Sequence, residues 1–449
     1  MLPRKFVLLL LLPICLQAGV PKEIQVLADQ ARNLPPEFAA DVLLKLAASP
    51  LANDPQWKRG LIEDAFLSAA HAQSPYRKLG DRGDAVFSLH LEALTMQAGA
   101  VEAMLALDPR KALTMFRDIP APELPKLACR EALTPDVSAY YQTATTLFAN
   151  AFTAEQRRDG ADIAFLRDRI SAIESPSQVV PALKMLDQVE LNSQVRTDLT
   201  ALFAAALDRV NGGDREFAAS EPLLMGAAVP EMHETVFLPT LRAYIVRHLS
   251  GPRCSDQIKA GQLPESATQF NKLISRIDGT GSQFHPITAE EATPLRDDGA
   301  YPPLAAEQSP YTRQVRTAVH ALQDDDPSTQ AWTEHYFAAL KLMESWASEA
   351  AASPDDASFT LAAEYFVLLK AAPSAVDQRS AEASFLHFLE RQYAPTGNRG
   401  LWFVEFHLLL DRARSQSGSD QGWLSDQLIH SRNPVIAVYA QIEKALGKS

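Results

Sequence analysis

DPSTQAWTEHYFAALKLMESWASEA, residues 326–350, decides the fold class. Asp326 precedes Pro327, and from there Trp332, Tyr336, Ala339, Met343, Trp346 and Ala350 recur at three and four residues. That spacing puts them on one stripe of a helix, with the polar residues opposite. An Asp oxygen can accept from an orphan amide of the first turn. A proline in that turn loses nothing, because its missing N–H had no partner there.

The same pair of signals recurs along the chain. It appears at Asp54-Pro55, Ser74-Pro75, Asp108-Pro109, Thr134-Pro135, Ser175-Pro176, Ser309-Pro310, Ser353-Pro354 and Asn433-Pro434. Many of the thirty prolines therefore mark where helices begin. Between them the apolar spacing stays helical: Phe38, Val42, Leu43 and Leu46 in one stretch, Val195, Leu199, Leu202, Phe203, Ala206 and Val210 in another. Alternating strand patterns are almost absent. The spacing predicts an all-α chain of hairpins, stacked as an α-solenoid of the TPR or HEAT kind or arranged as two packed helical domains. No repeat consensus is legible, and the TPR pattern of Trp, Leu-Gly, Tyr, Ala and Pro at fixed offsets does not occur.

The periodicity fails between about 251 and 309. There a helix stops at Ser250-Gly251-Pro252, Cys254 follows, and a Gly-, Pro- and acid-rich stretch runs on to Pro310. So long an irregular connection suggests a boundary. It separates an N-terminal helical domain, 19–250, from a C-terminal one, 310–449.

The N-terminus has the layout of a secretory signal peptide over residues 1–18. Arg4 and Lys5 lead an apolar run from Phe6 to Leu16, with small Ala18 and Gly19 after it. Eleven residues fall well short of the roughly twenty that span a bilayer. Cleavage after Ala18 or Gly19 is the expectation, against a retained anchor as the alternative. Ile14 is too large to precede a lipidated Cys15. Cleavage would move the formal charge from −13 to about −15, and it implies a periplasmic or extracellular protein with no integral membrane segment. Without basic clusters, such a surface disfavours nucleic acid and anionic membranes. In an oxidising compartment the two remaining cysteines, Cys129 and Cys254, most simply form one disulfide pinning the irregular segment. Two separate buried thiols are the alternative.

Motifs for chemistry are scarce. There is no His-Glu-x-x-His, no Gly-x-Ser-x-Gly and no Cys-x-x-Cys, and Asp278–Gln283 lacks the Lys-Ser/Thr of a phosphate loop. No cofactor or metal is expected. The most unusual polar placement is RGLWFVEFHLLLDRARS, residues 399–415, where Glu405 and His407 interrupt an apolar run. A carboxylate there must pair, hydrogen-bond or rise in pKa. Asp411, one turn beyond His407, could orient the imidazole. Glu405, His407 and Asp411 are thus a candidate acid/base set. The alternative is that Glu405 pairs with an Arg such as Arg399 or Arg412 and that His407 is a satisfied helix-surface residue. A second candidate, for sugar or peptide, is Trp332, Glu334, His335 and Tyr336, whose aromatics could instead be core. Tyr140-Tyr141 has the same ambiguity. Two functions follow as expectations. One is an exported scaffold binding protein or peptide in the cell envelope. The other is a cell-wall glycan hydrolase or lyase, with one or two placed carboxylates on a superhelix.

Overall fold

The structure is a computed structural model describing residues 20–73, 77–78, 93–122, 133–134, 137–210, 214–228, 237–253, 263–277, 284–296, 310–324, 326, 328–350, 364–372, 375–393, 399–415 and 422–447. The chain is all-α. The first part comprises α1 (Lys22–Arg32), α2 (Pro36–Ala48), α3 (Pro55–Ala70), α4 (Ala93–Leu105), α5 (Pro109–Asp118), α6 (Ser138–Asn150), α7 (Ala154–Arg158), α8 (Ala161–Ser171), α9 (Pro176–Gln188), α10 (Ser193–Arg209), α11 (Asp214–Ala228), α12 (Phe237–Ser250) and α13 (Glu265–Ile277). The second comprises α14 (Pro310–Asp324), α15 (Gln330–Ala350), α16 (364–371), α17 (Ala375–Gln392), α18 (Arg399–Ser415), α19 (Trp423–Ile429) and α20 (Pro434–Leu446). No helix among the described residues is long and apolar enough to cross a membrane. Residues 1–18, Cys129, Cys254, and the Ser74-Pro75 and Ser353-Pro354 steps lie outside the described residues.

Four of the expected caps are formed, those of Asp54, Asp108, Ser175 and Asn433. Asp54 accepts from the Trp57 amide at 2.8 Å and Asp108 from the Lys111 amide at 3.0 Å. Ser175 and Gln178 form a reciprocal capping box, and Asn433 accepts from the Val435 amide at 2.9 Å. Each satisfies a donor that would otherwise be orphaned in a first turn. Two expected starts are displaced. Thr134 instead pairs with Arg77 in a short antiparallel bridge, and α6 begins at Ser138. Asp326 closes a tight turn onto the Ser328 amide, leaving Thr329 to cap α15 through the Trp332 amide at 3.1 Å.

The helices touch in two parallel successions. One runs α2, α3, α4, α6, α9, α11, α13, and the other α6, α8, α10, α12, α13. In the second part α14 packs on α15, α15 on α17, α17 on α18 and α19, and α19 on α20. Then the chain's two ends meet: α20 lies against α1 and α2, and α18 against α2. A continuous cluster of buried apolar side chains accordingly runs from Val20 to Ile442 and draws on both parts.

Within 251–309 the described residues, 251–253, 263–277 and 284–296, carry a helix and a pair of bridged segments. α12 ends at Ser250, and Pro252-Arg253 pairs in parallel with Leu295-Arg296. α13 packs on α11 and α12. The Arg242 guanidinium donates to the carbonyls of His285 (2.8 Å) and Pro286 (3.0 Å) and pairs with Glu291 at 2.7 Å. Asn271 clips Ile287 in both directions, donating to its carbonyl at 2.8 Å and accepting from its amide at 2.7 Å. Ile287 and Ala292 thereby reach the core. Among the described residues, side-chain amide and guanidinium groups hold this segment.

Candidate functional site

The densest meeting of chemistry-bearing side chains is the seam where the ends join. α2 carries Glu37, Asp41 and Lys45 at four-residue spacing, hence on one face. α20 brings Tyr439 and Glu443 by the same rule, and α18 brings His407, Asp411 and Arg414. Apolar packing sets the register. Phe38 on α2 meets Phe403 at 4.3 Å, Trp402 at 5.5 Å, Tyr439 at 5.8 Å and Phe406 at 5.9 Å between ring centroids. Tilted and edge-on pairs of this kind add to plain area burial.

Against that aromatic wall sits the polar set. The Tyr439 hydroxyl donates to the Asp41 carboxylate. Lys45 Nζ donates at 2.8 Å to Asp41, to Tyr439 Oη and to Glu443. His407 Nε2 lies 2.9 Å from Tyr439 Oη and 3.2 Å from Asp41 Oδ2. Because the phenolic proton is committed to Asp41, the imidazole must be the donor in this pair. The geometry thus places a hydrogen on Nε2. Arg414 extends the set, donating to Glu443 at 2.6 Å and to Asp411 at 2.8 Å.

Electrostatics follow from burial and charge together. Burial alone would push the Asp41 carboxyl up, yet the Lys45 ammonium and His407 outweigh it and hold Asp41 well below the usual carboxylate range. Burial, reinforced by Asp41 and Glu443, drives the Tyr439 phenol far above its ordinary value, so it stays a donor. Glu443 is held below its ordinary value: burial opposes ionisation, but Lys45 and Arg414 prevail. A parallel contact seals the seam one turn away. Glu37 accepts from the Gln73 amide at 2.6 Å and lies 3.4 Å from Arg399, whose own amide donates to Gln73 Oε1 at 2.7 Å.

The residues singled out in the sequence are distributed as follows. Glu405 and His407 are both buried, two positions apart and so on different helix faces. His407 turns to Asp41 on α2, and Asp411, half-exposed, accepts from Arg414. Glu405, His407 and Asp411 therefore do not converge as one acid/base set. Arg399 is engaged with Glu37, and Arg412 with Glu382 at 3.0 Å and Gln378 at 2.8 Å. Trp332 and Tyr336 are core residues stacked at 5.3 Å, with Trp332 Nε1–H donating to the Leu322 carbonyl at 3.0 Å. Glu334, exposed, accepts from Gln330 at 2.9 Å, and His335 is also exposed. Tyr140 and Tyr141 are both buried, Tyr140 stacking on Phe116 at 4.9 Å and accepting from Arg169 at 2.5 Å.

Sequence reasoning did not find Asp41, Lys45, Tyr439 or Glu443 as members of this set. One signal was present: Glu37, Asp41 and Lys45 stand at helical spacing inside the most apolar part of α2. Chemically the set is self-satisfied, each acid facing a base or a hydroxyl. It joins three helices and keeps its proton donors occupied. No family model, curated protein or solved structure matches this chain.

Proposed function

We propose that the chain is an exported, non-enzymatic helical-repeat protein that serves as a binding or assembly scaffold for protein or peptide partners in the cell envelope. The observation that carries this reading is the fate of His407. The histidine best placed by sequence for acid/base work is enclosed, with its donor directed at Asp41 and Tyr439 in a contact that joins the chain's ends. The two successions of helix contacts support a row of hairpins, a geometry that offers a long surface to partners. Export rests on the charged, apolar and small-residue order of residues 1–19.

The rival reading, a glycan-acting enzyme, needs a carboxylate beside aromatics where substrate can reach. Glu334 is at the surface with the exposed Phe337 one turn on, but Trp332 and Tyr336, the aromatics of the expected sugar or peptide site, face the core, which favours the scaffold. The test has two arms. Photo-crosslinkers at the exposed positions Leu67, Leu223 and Phe337, introduced one at a time in the producing cell, are expected to give a discrete adduct from at least one face. The purified protein incubated with cell-wall sacculi is expected to release nothing soluble. Release of fragments that is abolished by Glu405→Gln in a folded variant would overturn the proposal.

A further inference from the structure

The seam joins helices from opposite ends of the chain, and carboxylates receive most of its polar links. Asp41 on α2 accepts from Tyr439 and faces His407 at 3.2 Å. Glu443 on α20 takes Arg414 at 2.6 Å, and Lys45 bridges Asp41 and Glu443 at 2.8 Å to each. Glu37 lies 3.4 Å from Arg399. The partners of these acids are thus the cations Lys45, Arg399 and Arg414, the Tyr439 phenol and the His407 imidazole.

Charged groups on the surrounding elements are engaged elsewhere. α1 and α3 turn Arg32 and Asp64 to each other at 2.7 Å. Glu102 of α4 accepts from Thr143 at 2.7 Å, and Asp426 of α19 takes Lys444 at 2.9 Å. Asp411, half-exposed on α18, answers Arg414 at 2.8 Å, and Glu405 lies on a different face of α18 from His407.

Loss of the negative charges therefore changes the balance of the whole seam. Ionised, it sets acid against base across three helices. Neutralised, it leaves Lys45, Arg399 and Arg414 gathered in one place, where like charges repel. Burial would raise both carboxyls, but Lys45 and its neighbours hold Asp41 and Glu443 below their ordinary values, so each takes up a proton as the seam opens in acid. What separates is limited. α2 keeps its packing on α3, and α20 its packing on α19, because those contacts lie within one end of the chain. We infer that the seam is an acid-operated latch, whose release lets α18 and α20 come away from α1 and α2 together and bares the aromatic wall of Phe38, Phe403 and Phe406. No partner is needed for this motion, so it stands apart from the scaffold reading.

The test places an acid-stable fluorophore pair on the mature chain, through bio-orthogonal residues at the exposed positions Gln30 on α1 and Gln441 on α20. Energy transfer and far-ultraviolet circular dichroism are followed together from about pH 7 to about pH 2. Transfer is expected to hold steady down to about pH 4 and to fall below it while the helical signal persists. With two carboxyls taking up protons, the opening equilibrium should steepen towards about 100-fold per pH unit. Asp41→Asn and Glu443→Gln each remove one of the two, so either should lower that slope towards about tenfold per unit. The inference is overturned if the ends stay together at about pH 2, if they part only as helix is lost, or if neither variant lowers the slope.

Discussion

Replacing Asp41 by Asn keeps the shape of the seam and removes the charge at its centre. In the parent, that carboxylate accepts from Tyr439 and Lys45 and faces His407 at 3.2 Å, with its side chain only 12% exposed. Hydrogen bonds to a buried charge contribute about 1.5–3 kcal/mol each, and removing one partner of a buried pair costs about 3–5 kcal/mol. Lys45 keeps Glu443 at 2.8 Å, which offsets part of the loss. The net cost is about 3 kcal/mol, equivalent to a roughly 100-fold change in the opening equilibrium. Because the chain is large, the effect should be local rather than global. Hydrogen exchange is the suitable assay. Amides of α2 and α20 should exchange about 100-fold faster in Asp41→Asn, and those of α10 and α12, on distant contacts, should not change. The sign of the pH dependence is set by depressed carboxyls. Asp41 and Glu443 both sit below their ordinary values, so their stabilisation is complete above the unfolded carboxyl value near about 4. It fades as pH falls through that value towards the lower folded pKa. The gap between parent and variant should therefore be full at neutral pH and shrink progressively below about pH 4. Uniform acceleration across the protein, or an α2 change under about threefold at neutral pH, would refute the reasoning.

Other consequences can be measured separately. Phe38→Ala removes the ring that contacts four aromatics from α18 and α20, so it should cost about 3–5 kcal/mol and red-shift tryptophan emission as Trp402 gains water. Ser175→Ala deletes one half of a capping box; a loss of about 1 kcal/mol, read as faster exchange confined to the start of α9, is expected. Gly160→Ala meets open space but must hold φ at +75°, so its cost of about 1 kcal/mol is backbone strain alone, and Gly160→Asn should recover part of it. For the cysteines, the intact mass of exported protein under non-reducing conditions should be lighter by two hydrogens than after reduction, with a cross-linked peptide joining Cys129 to Cys254; two free thiols would remove the proposed bridge.

How far the sequence could be read depended on whether the cause was local. α2 and α20 begin and end where apolar periodicity puts them, and Asn433 caps α20, because a first turn is decided by residues a few positions apart. The breakdowns have local reasons too. α11 carries Pro222 inside it, at a place where a proline ordinarily marks a helix end. The spacing over 154–173 reads as one helix, yet Gly160 adopts a left-handed conformation and divides it into α7 and α8. The spacing near 84–97 and 100–107 reads as two helices, yet the described residues there form one continuous α4 that carries Gly99 in its interior. For the site, the sequence placed Glu405 and His407 in an apolar run; the structure buries both, so His407 is not the helix-surface residue that the alternative reading made it. The sequence suggested Asp411 as the partner of His407, on helical spacing alone. The acid that faces it at 3.2 Å, Asp41, comes from 366 positions earlier in the chain.

By itself, then, the order of residues determined the class of fold, the ends of most helices, and the apolar stripe each one had to hide. Those properties arise from hydrogen bonds and periodicity within a turn or two. Only the tertiary structure decided that the first and last helices are neighbours, and that Asp41, Lys45, His407, Tyr439 and Glu443 form one set. An apolar stripe specifies that it must be covered and leaves open by what. Which stripe covers which is settled by the packing of the whole chain, and the buried charges then find partners wherever that packing brings them.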